Sequence, residues 1–282
     1  MSTPEIPPFS SLPLRPDGPH GNAWGLYGPN DNIGRLNLLT PETTLSAIRE
    51  IQDGIRISTD WSLDSMLQQP CFGRKPFEQT IINKAPRSVN DDVLVLNTQI
   101  SSQWDGFRHY GYQKERLYYN GYTLEDLLGS KVNGIHVSQL KEIAAAQGTT
   151  LQHGDILFIR TGWIQAYNQL TTEARQALAD NKNPPAIGVE SSEETLKWIW
   201  EQGFAAVAGD QPSFEAWPCQ NTDFWLHEWF LAGWGLPIGE LFDLERLSQE
   251  CRQRGKWSFF FSSVPLKVPG GVASPPNGVA IL

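Results

Sequence analysis

Residues 92–109 read DVLVLNTQISSQWDGFRH, an apolar, β-favouring run that passes directly into a block of polar side chains. Asp92 to Ile100 carries the branched and apolar residues that pack on a pleated surface, so it is expected to be a core strand. Polar residues that follow such a strand stand where the chain leaves the core, which is where functional groups collect. Within them Gln103, Asp105 and His109 lie at spacings of two and four. Residues two apart on an extended chain point to the same side, and a turn at Gly106 would bring His109 back to them. An Asp and a His placed together can hold a divalent ion or form a base and its orienting partner. The same spacing also describes an ordinary capped surface turn.

Outward from this stretch, helix and strand signals alternate. Thr40-Pro41-Glu42 combines a capping hydroxyl, a first-turn proline and an acid near the positive helix end. Leu45, Ile48 and Ile51 then form one apolar face. Ile55 to Thr59 reads as a strand, and residues 64–90 as irregular and polar. Ser138 starts a helix through Gln147, Asp155 to Arg160 is a strand, and Thr172 to Asp180 is a helix. Ser191-x-x-Glu194 is a capping box that opens a helix to Gln202, stopped by Gly203. Phe204 to Ala208 reads as a short buried strand and Thr222 to Leu231 as a helix ending near Gly233. Leu236 to Leu241 is strand-like, Leu244 to Arg254 is a helix closed by Gly255, and Trp257 to Val264 is the final strand. From Pro265 the tail reads as a Pro/Gly loop. Interleaving of this kind indicates one α/β domain of mixed sheet. Ahead of it, six prolines in the first 19 residues predict an extended arm over residues 1–20, loose or wrapped on a neighbouring subunit. Residues 21–282 form the domain.

Composition limits the partners. The chain has 282 residues and a net charge of −9. An acidic surface argues against nucleic acid and against anionic membranes as main partners. No apolar run approaches the roughly 18 residues a membrane span needs, and the N-terminus lacks the basic and apolar regions of a signal peptide. Three scattered cysteines (Cys71, Cys219 and Cys251) fit free thiols in a reducing compartment, so a cytoplasmic location is expected. Eleven tryptophans stand out, several of them clustered at Trp198, Trp200, Trp217, Trp225, Trp229 and Trp234. They suit core or oligomer-interface packing, or an aromatic wall for a flat ligand. Of five histidines, His20 lies in the arm and His153 in a turn. His227 falls between Trp225 and Trp229, with Glu240 thirteen residues on. The pair is either a satisfied core histidine with a nearby acid or a His–carboxylate pair facing Asp105 and His109.

Several segments together resemble the cyclase family that includes bacterial kynurenine formamidases and isatin hydrolases, most closely its fungal branch. They are Ala23-Trp24-Gly25-Leu26-Tyr27-Gly28, Gly34 to Pro41, Gln103-Trp104-Asp105-Gly106 with His109, Gly154 to Leu157, Ala208-Gly209-Asp210, Leu226-His227-Glu228, Gly235 to Glu240, and Pro269-Gly270-Gly271 to Ser274-Pro275-Pro276. The resemblance implies a cyclase-type domain with a mixed, barrel-like β core and flanking helices, associating as a homodimer or higher oligomer. It implies a motif His-x-Gly-Thr-His-x-Asp-x-Pro-x-His, then a distant His and Glu, which together bind one or two divalent ions and activate water. Matched by position, the motif's first two histidines fall on Gln99 and Gln103, Gly-Thr on Ser101-Ser102, and proline on Phe107. Asp105, His109, His227 and Glu240 are kept. A Gln oxygen is a harder, weaker donor than imidazole. The implied metal set is Gln103, Asp105, His109, His227 and Glu240, with Zn, Mn, Mg or no ion. A further family segment with a Gly-Arg-Gly turn is missing, and Tyr122 to Val137 is short in its place.

Two enzymatic readings follow. In one, Asp105, His109, His227 and Glu240 work as acid/base groups on a carbonyl-containing small molecule, with Gln99, Gln103, Trp104 and Arg108 binding it. That enzyme would cyclise, dehydrate or isomerise its substrate in a biosynthetic route, with the metal site weakened or lost. In the other, the same residues form a metal-dependent hydrolase of an amide, ester or lactone. A non-catalytic binding protein is disfavoured, because four chemistry-bearing residues are retained.

Overall fold

The computed structural model describes residues 5–66, 70–107, 109–115, 117, 119, 134–181, 184–268 and 271–282. Its strands are β1 (Arg56–Ser58), β2 (Glu78–Asn83), β3 (Asn90–Val95), β4 (Gln103–Asp105), β5 (Gly134–Ile135), β6 (Ile156–Ile159), β7 (Gly188–Val189), β8 (Ala206–Gly209), β9 (Ile238–Glu240), β10 (Phe260–Ser263), β11 (Ala273–Ser274) and β12 (Gly278–Ile281). Its α-helices are α1 (Pro41–Ile48), α2 (Val137–Ala146), α3 (Trp163–Asn168), α4 (Thr172–Asp180), α5 (Glu193–Gln202) and α6 (Glu245–Arg254).

Local signals place the helices well. The Thr40, Thr171 and Ser192 hydroxyls accept the backbone N–H groups of Thr43, Ala174 and Thr195, so α5 is capped by Ser192, one residue on from the expected Ser191–Glu194 capping box. Gly203 and Gly255 close α5 and α6 in the left-handed conformation. α2 is capped by His136 rather than Ser138: its Nδ1 accepts the Ser138 N–H while its own N–H bonds Gln139. The expected helix over 222–231 resolves into a short 3-10 turn at Thr222–Phe224 and a π-helical segment at Glu228–Trp234, which leaves His227 at its entrance.

A mixed five-stranded sheet in the order β11-β4-β9-β8-β6 forms the centre. β6, β8 and β9 run parallel, whereas β4 pairs antiparallel with both β9 and β11. β1, β12 and β10 make a second, antiparallel sheet. These sheets are open, and among the described residues no strand closes them into the barrel-like core that was expected. The main core lies under α5 and the π-helical segment, where Trp198, Trp200, Phe204, Phe214, Trp229, Phe230 and Trp234 are buried. No helix among the described residues is long and apolar enough to cross a membrane.

Four expectations are corrected. The run 92–100 is not a core strand: β2 and β3 form a hairpin in which all strand residues are exposed, and the segment 64–90 contributes one of its strands. The chain then turns, and the short β4 takes the central position. The apolar face of α1 is uncovered, with Leu45 65% and Ile48 47% exposed. The tail is not a loop, because β11 and β12 complete both sheets. Finally, the described part of the Pro-rich arm packs on its own chain: Ile6, Phe9, Leu12 and Leu14 meet the main core, and the Trp200 indole donates to Pro7 O.

Candidate active site

Strand register builds the centre of the site. Gln103 faces Glu240 directly across the β4–β9 pair, and the Gln103 Nε2 donates to Glu240 Oε2 at 2.8 Å. Asp105, two residues along, emerges on the same face. Trp104 emerges on the other. It crosses Gly239, where a Cβ would sit 2.9 Å from the indole, and packs against Phe242 and Phe261 while donating to Ser263 Oγ. The expectation that Trp104 binds substrate is therefore corrected: strand alternation turns it into the second core. Arg108, the other residue expected to touch substrate, lies outside the described residues.

The Gly106 turn returns His109, as its N–H donates to Gly106 O. His109 Nε2 stands 3.7 Å from Asp105 Oδ2. Gln99, expected at the rim, sits between them, donating from Nε2 to Asp105 Oδ1 at 2.8 Å and lying 3.1 Å from His109 Nε2. His227 approaches from the π-helical segment with Nε2 3.3 Å from Glu240 Oε1. Glu240 also accepts the Phe214 N–H at 3.0 Å. Gln99, Gln103, Asp105, His109, His227 and Glu240 thus converge from three parts of the chain. Among them His109 alone is appreciably open, its side chain 22% exposed against 0% for Asp105.

Sequence reasoning missed Glu215. Its Oε2 accepts His227 Nδ1–H at 2.5 Å, and it is fully buried. No motif marks it, and only an acidic residue inside an otherwise apolar stretch, Phe214-Glu215-Ala216-Trp217, could have drawn attention to it.

The electrostatics follow from this burial. Burial alone would lower the His227 imidazolium, but Glu215 and Glu240 at its two ring nitrogens hold its pKa well above the ordinary histidine value. Burial and the neighbouring Asp105 charge push Glu240 up to about 7 against the pull of His227. Burial lowers His109, partly offset by Asp105, and so favours its neutral form.

The donor set suits a cation, whose binding would displace the Nε2 proton of His227. Asp105, His109 and His227 each offer one ligand atom, and these atoms lie within 4.8 Å of one another. Asp105 Oδ2 and Gln103 Oε1 are buried acceptors without a hydrogen-bond partner. An unsatisfied buried acceptor costs about 1–3 kcal/mol, which an ion would offset. Glu240 falls outside this group, its oxygens being taken by Gln103, Phe214 and His227.

The tryptophans divide between two tasks. Trp200 and Trp234 are core. Trp225 instead lies toward the site, its ring tilted against Tyr110 at 5.3 Å, and Tyr110 lies 5.2 Å from His227. Trp217 and Phe72 continue this aromatic run outward.

The family model described as "Putative cyclase" matches residues 49–216, more than half of the chain. The chain belongs to the cyclase family. A crystal structure of a novel cyclase is 29% identical to this cyclase-family chain with a TM-score of 0.80, covering 93% of this chain and 99% of that one. Isatin hydrolase A from Ralstonia solanacearum shares the fold at 15% identity and a TM-score of 0.58, with 86% of this chain and 97% of that one covered. Isatin hydrolase A from Labrenzia aggregata, bound to benzyl benzoate, does so at 14% identity and 0.59, with 86% and 98% covered. No curated protein matches the sequence. Within this cyclase-family chain the family match ends at Ala216, so His227 and Glu240 join the site through the β4–β9 pairing and the π-helical segment.

Proposed function

We propose that this cyclase-family enzyme hydrolyses an amide, ester or lactone of a small molecule, using a divalent ion held by Asp105, His109 and His227 with Gln103 beside them. The observation that carries this reading is the approach of three ligand atoms to within 4.8 Å of one another, next to two buried acceptor oxygens that lack partners. The ion would supply Lewis acidity toward a carbonyl and acidify water. The residues supply the rest. His109, favoured neutral by burial, keeps a ring nitrogen available to ligate the ion, and without an ion that same nitrogen can take up a proton. Glu240, its oxygens occupied by Gln103, Phe214 and His227, holds Gln103 and His227 in place beside the ligands. Gln99 fixes Asp105 and His109 relative to each other, and Tyr110 packs beside both imidazoles with Trp225 behind it.

A second reading rests on a specific feature. The Gln99 and Gln103 amides donate to Asp105 and Glu240, so these carboxylates have partners in the absence of an ion. The same groups would then catalyse cyclisation, dehydration or isomerisation by proton transfer alone. Metal analysis and chelation separate the two. The hydrolase reading expects bound metal and turnover on a panel of esters, lactones and arylamides that chelator abolishes and added Mn²⁺ or Zn²⁺ restores. It also expects Gln103→His to tighten the ion, because imidazole is the better ligand for first-row metals. Turnover that survives chelation in metal-free protein would favour the second reading.

We also propose a homodimer. With the Pro-rich arm occupied on its own chain, the β2–β3 hairpin is the surface that supports it: Ile81 is 67% exposed, Val93 49% and Leu94 46%. An isolated two-stranded ribbon is marginally stable in water, and a partner subunit would stabilise it. Light scattering should give about twice the chain mass of 31.6 kDa. A monomer at micromolar concentration would overturn the proposal.

A further inference from the structure

We propose that Glu215 is a positioning residue for His227: it grips the imidazole at Nδ1 and thereby presents Nε2 to the cluster of Asp105, His109 and Glu240. The proposal rests on the reading that His227 serves that cluster, whether or not an ion is held there.

The backbone around Glu215 has little freedom. Phe214 O accepts the Val189 N–H at 2.8 Å, and Ala216 N–H donates to Val189 O at 2.9 Å. One step further on each side, Ala186 and Trp217 exchange a pair of hydrogen bonds at 3.0 and 2.9 Å. Residues 214–217 are thus laced to β7. The approach is so close that a Cβ on Gly188 would lie 2.2 Å from the Glu215 carbonyl carbon. Any residue but glycine at 188 would push Glu215 away. The same short segment serves both partners of the His–carboxylate pair, since the Phe214 N–H holds Glu240 Oε1 while the adjacent side chain holds His227.

The energetics argue against a purely stabilising role. Glu215 Oε1 is buried with no hydrogen-bond partner. A carboxylate taken out of water with one oxygen unpaired is a net cost to the fold unless its other contact does something the fold alone does not need. That contact is the 2.5 Å hydrogen bond from His227 Nδ1. His227 is 5% exposed, and its ring packs beside those of Tyr110 and His109, at 5.2 and 6.2 Å. Among the described contacts Glu215 is the group that bonds Nδ1. Without it the ring could rotate and offer either nitrogen to Glu240. A histidine that serves a metal or a substrate is commonly set in this way, by an acceptor on the nitrogen that does no chemistry.

The test is nitrogen-15 spectroscopy of the ring in histidine-labelled protein, with His227 assigned by its absence in His227→Ala. In the wild type Nδ1 should carry a proton with a strongly downfield resonance. In Glu215→Leu that resonance should vanish. Glu215→Gln guards against a folding failure: its oxygen still accepts, but as a neutral group, so the proton resonance should move upfield without vanishing. Titration with Zn²⁺ alone should show affinity lowered about 10–100-fold in Glu215→Leu, with Glu215→Gln in between. Ring signals unchanged in both variants would overturn the proposal, as would a Nδ1 that carries no proton in the wild type. A wild type that fails to bind Zn²⁺ but shows the ring response would instead count against the metal reading of the site and leave the role of Glu215 standing.

Discussion

Replacing His109 by alanine is expected to lower kcat about 10²–10⁴-fold on whichever carbonyl substrate the enzyme accepts, the range typical of a positioned acid or base. Asp105→Ala should do comparable damage. The two act as a unit: His109 Nε2 stands 3.7 Å from Asp105 Oδ2, and Gln99 Nε2 reaches both. The double variant should therefore be little worse than either single one. His109 gives the cleaner test, because its side chain is the member of the cluster that reaches the surface, and its removal leaves Asp105 still bonded to Gln99. Asp105→Ala instead removes an acceptor from Gln99 and opens space under His109, so its thermal stability must be measured alongside its rate. Full activity in both variants, with the fold retained, would rule out this cluster as the seat of the chemistry.

Trp200→Ala is expected to have the largest effect on stability, about 3–5 kcal/mol. At about 2–4 °C per kcal/mol for a chain of this size class, Tm should fall by roughly 10 °C. The indole is fully buried and lies 5.1 Å from the Trp234 ring. It also covers Arg35, whose guanidinium carbon sits 4.8 Å from the Trp200 ring centre. Arg35 is itself completely buried. Its Nε donates to Phe204 O at 2.8 Å and its Nη2 to Trp200 O at 3.3 Å, which satisfies carbonyls at the C-terminal end of α5. Burial draws the Arg35 pKa down to about 10. Removing the indole adds a cavity and deprives this buried cation of the nearer of its two cation–π partners in one step. Urea or thermal unfolding measures the loss, and a change under about 1 kcal/mol would contradict the packing described here.

The elements that could be read correctly from the chain are those whose causes are local. Thr40 starts a helix because its hydroxyl satisfies an N–H a few residues ahead, and Gly203 and Gly255 end theirs because they adopt positive φ without strain, whereas the cap of α5 was read one residue early, at Ser191 instead of Ser192. Asp105, His109, His227 and Glu240 were likewise visible, as unusual residue types in a recognisable order. By contrast, Leu45, Ile48 and Ile51 form a good apolar face that the fold leaves uncovered, because periodicity states what a helix can bury and not what is present to cover it.

The sequence by itself thus determined where most helices lie, the α/β character and a short roster of polar residues that the fold brings together. Tertiary structure alone decided which of them meet. The β4–β9 register sets Gln103 against Glu240 and, through strand alternation, turns Trp104 away from the site. The tail became strands because its partners, Asp105 for Ala273 and Arg56 for Ile281, lie some 170–220 residues away in the chain. Glu215 reaches His227 only because β7 pins its backbone beside Gly188. A hydrogen bond between distant segments depends on register to within one residue, since one step along a strand reverses the side chain. Local chemistry writes no record of that register into the residues on either side.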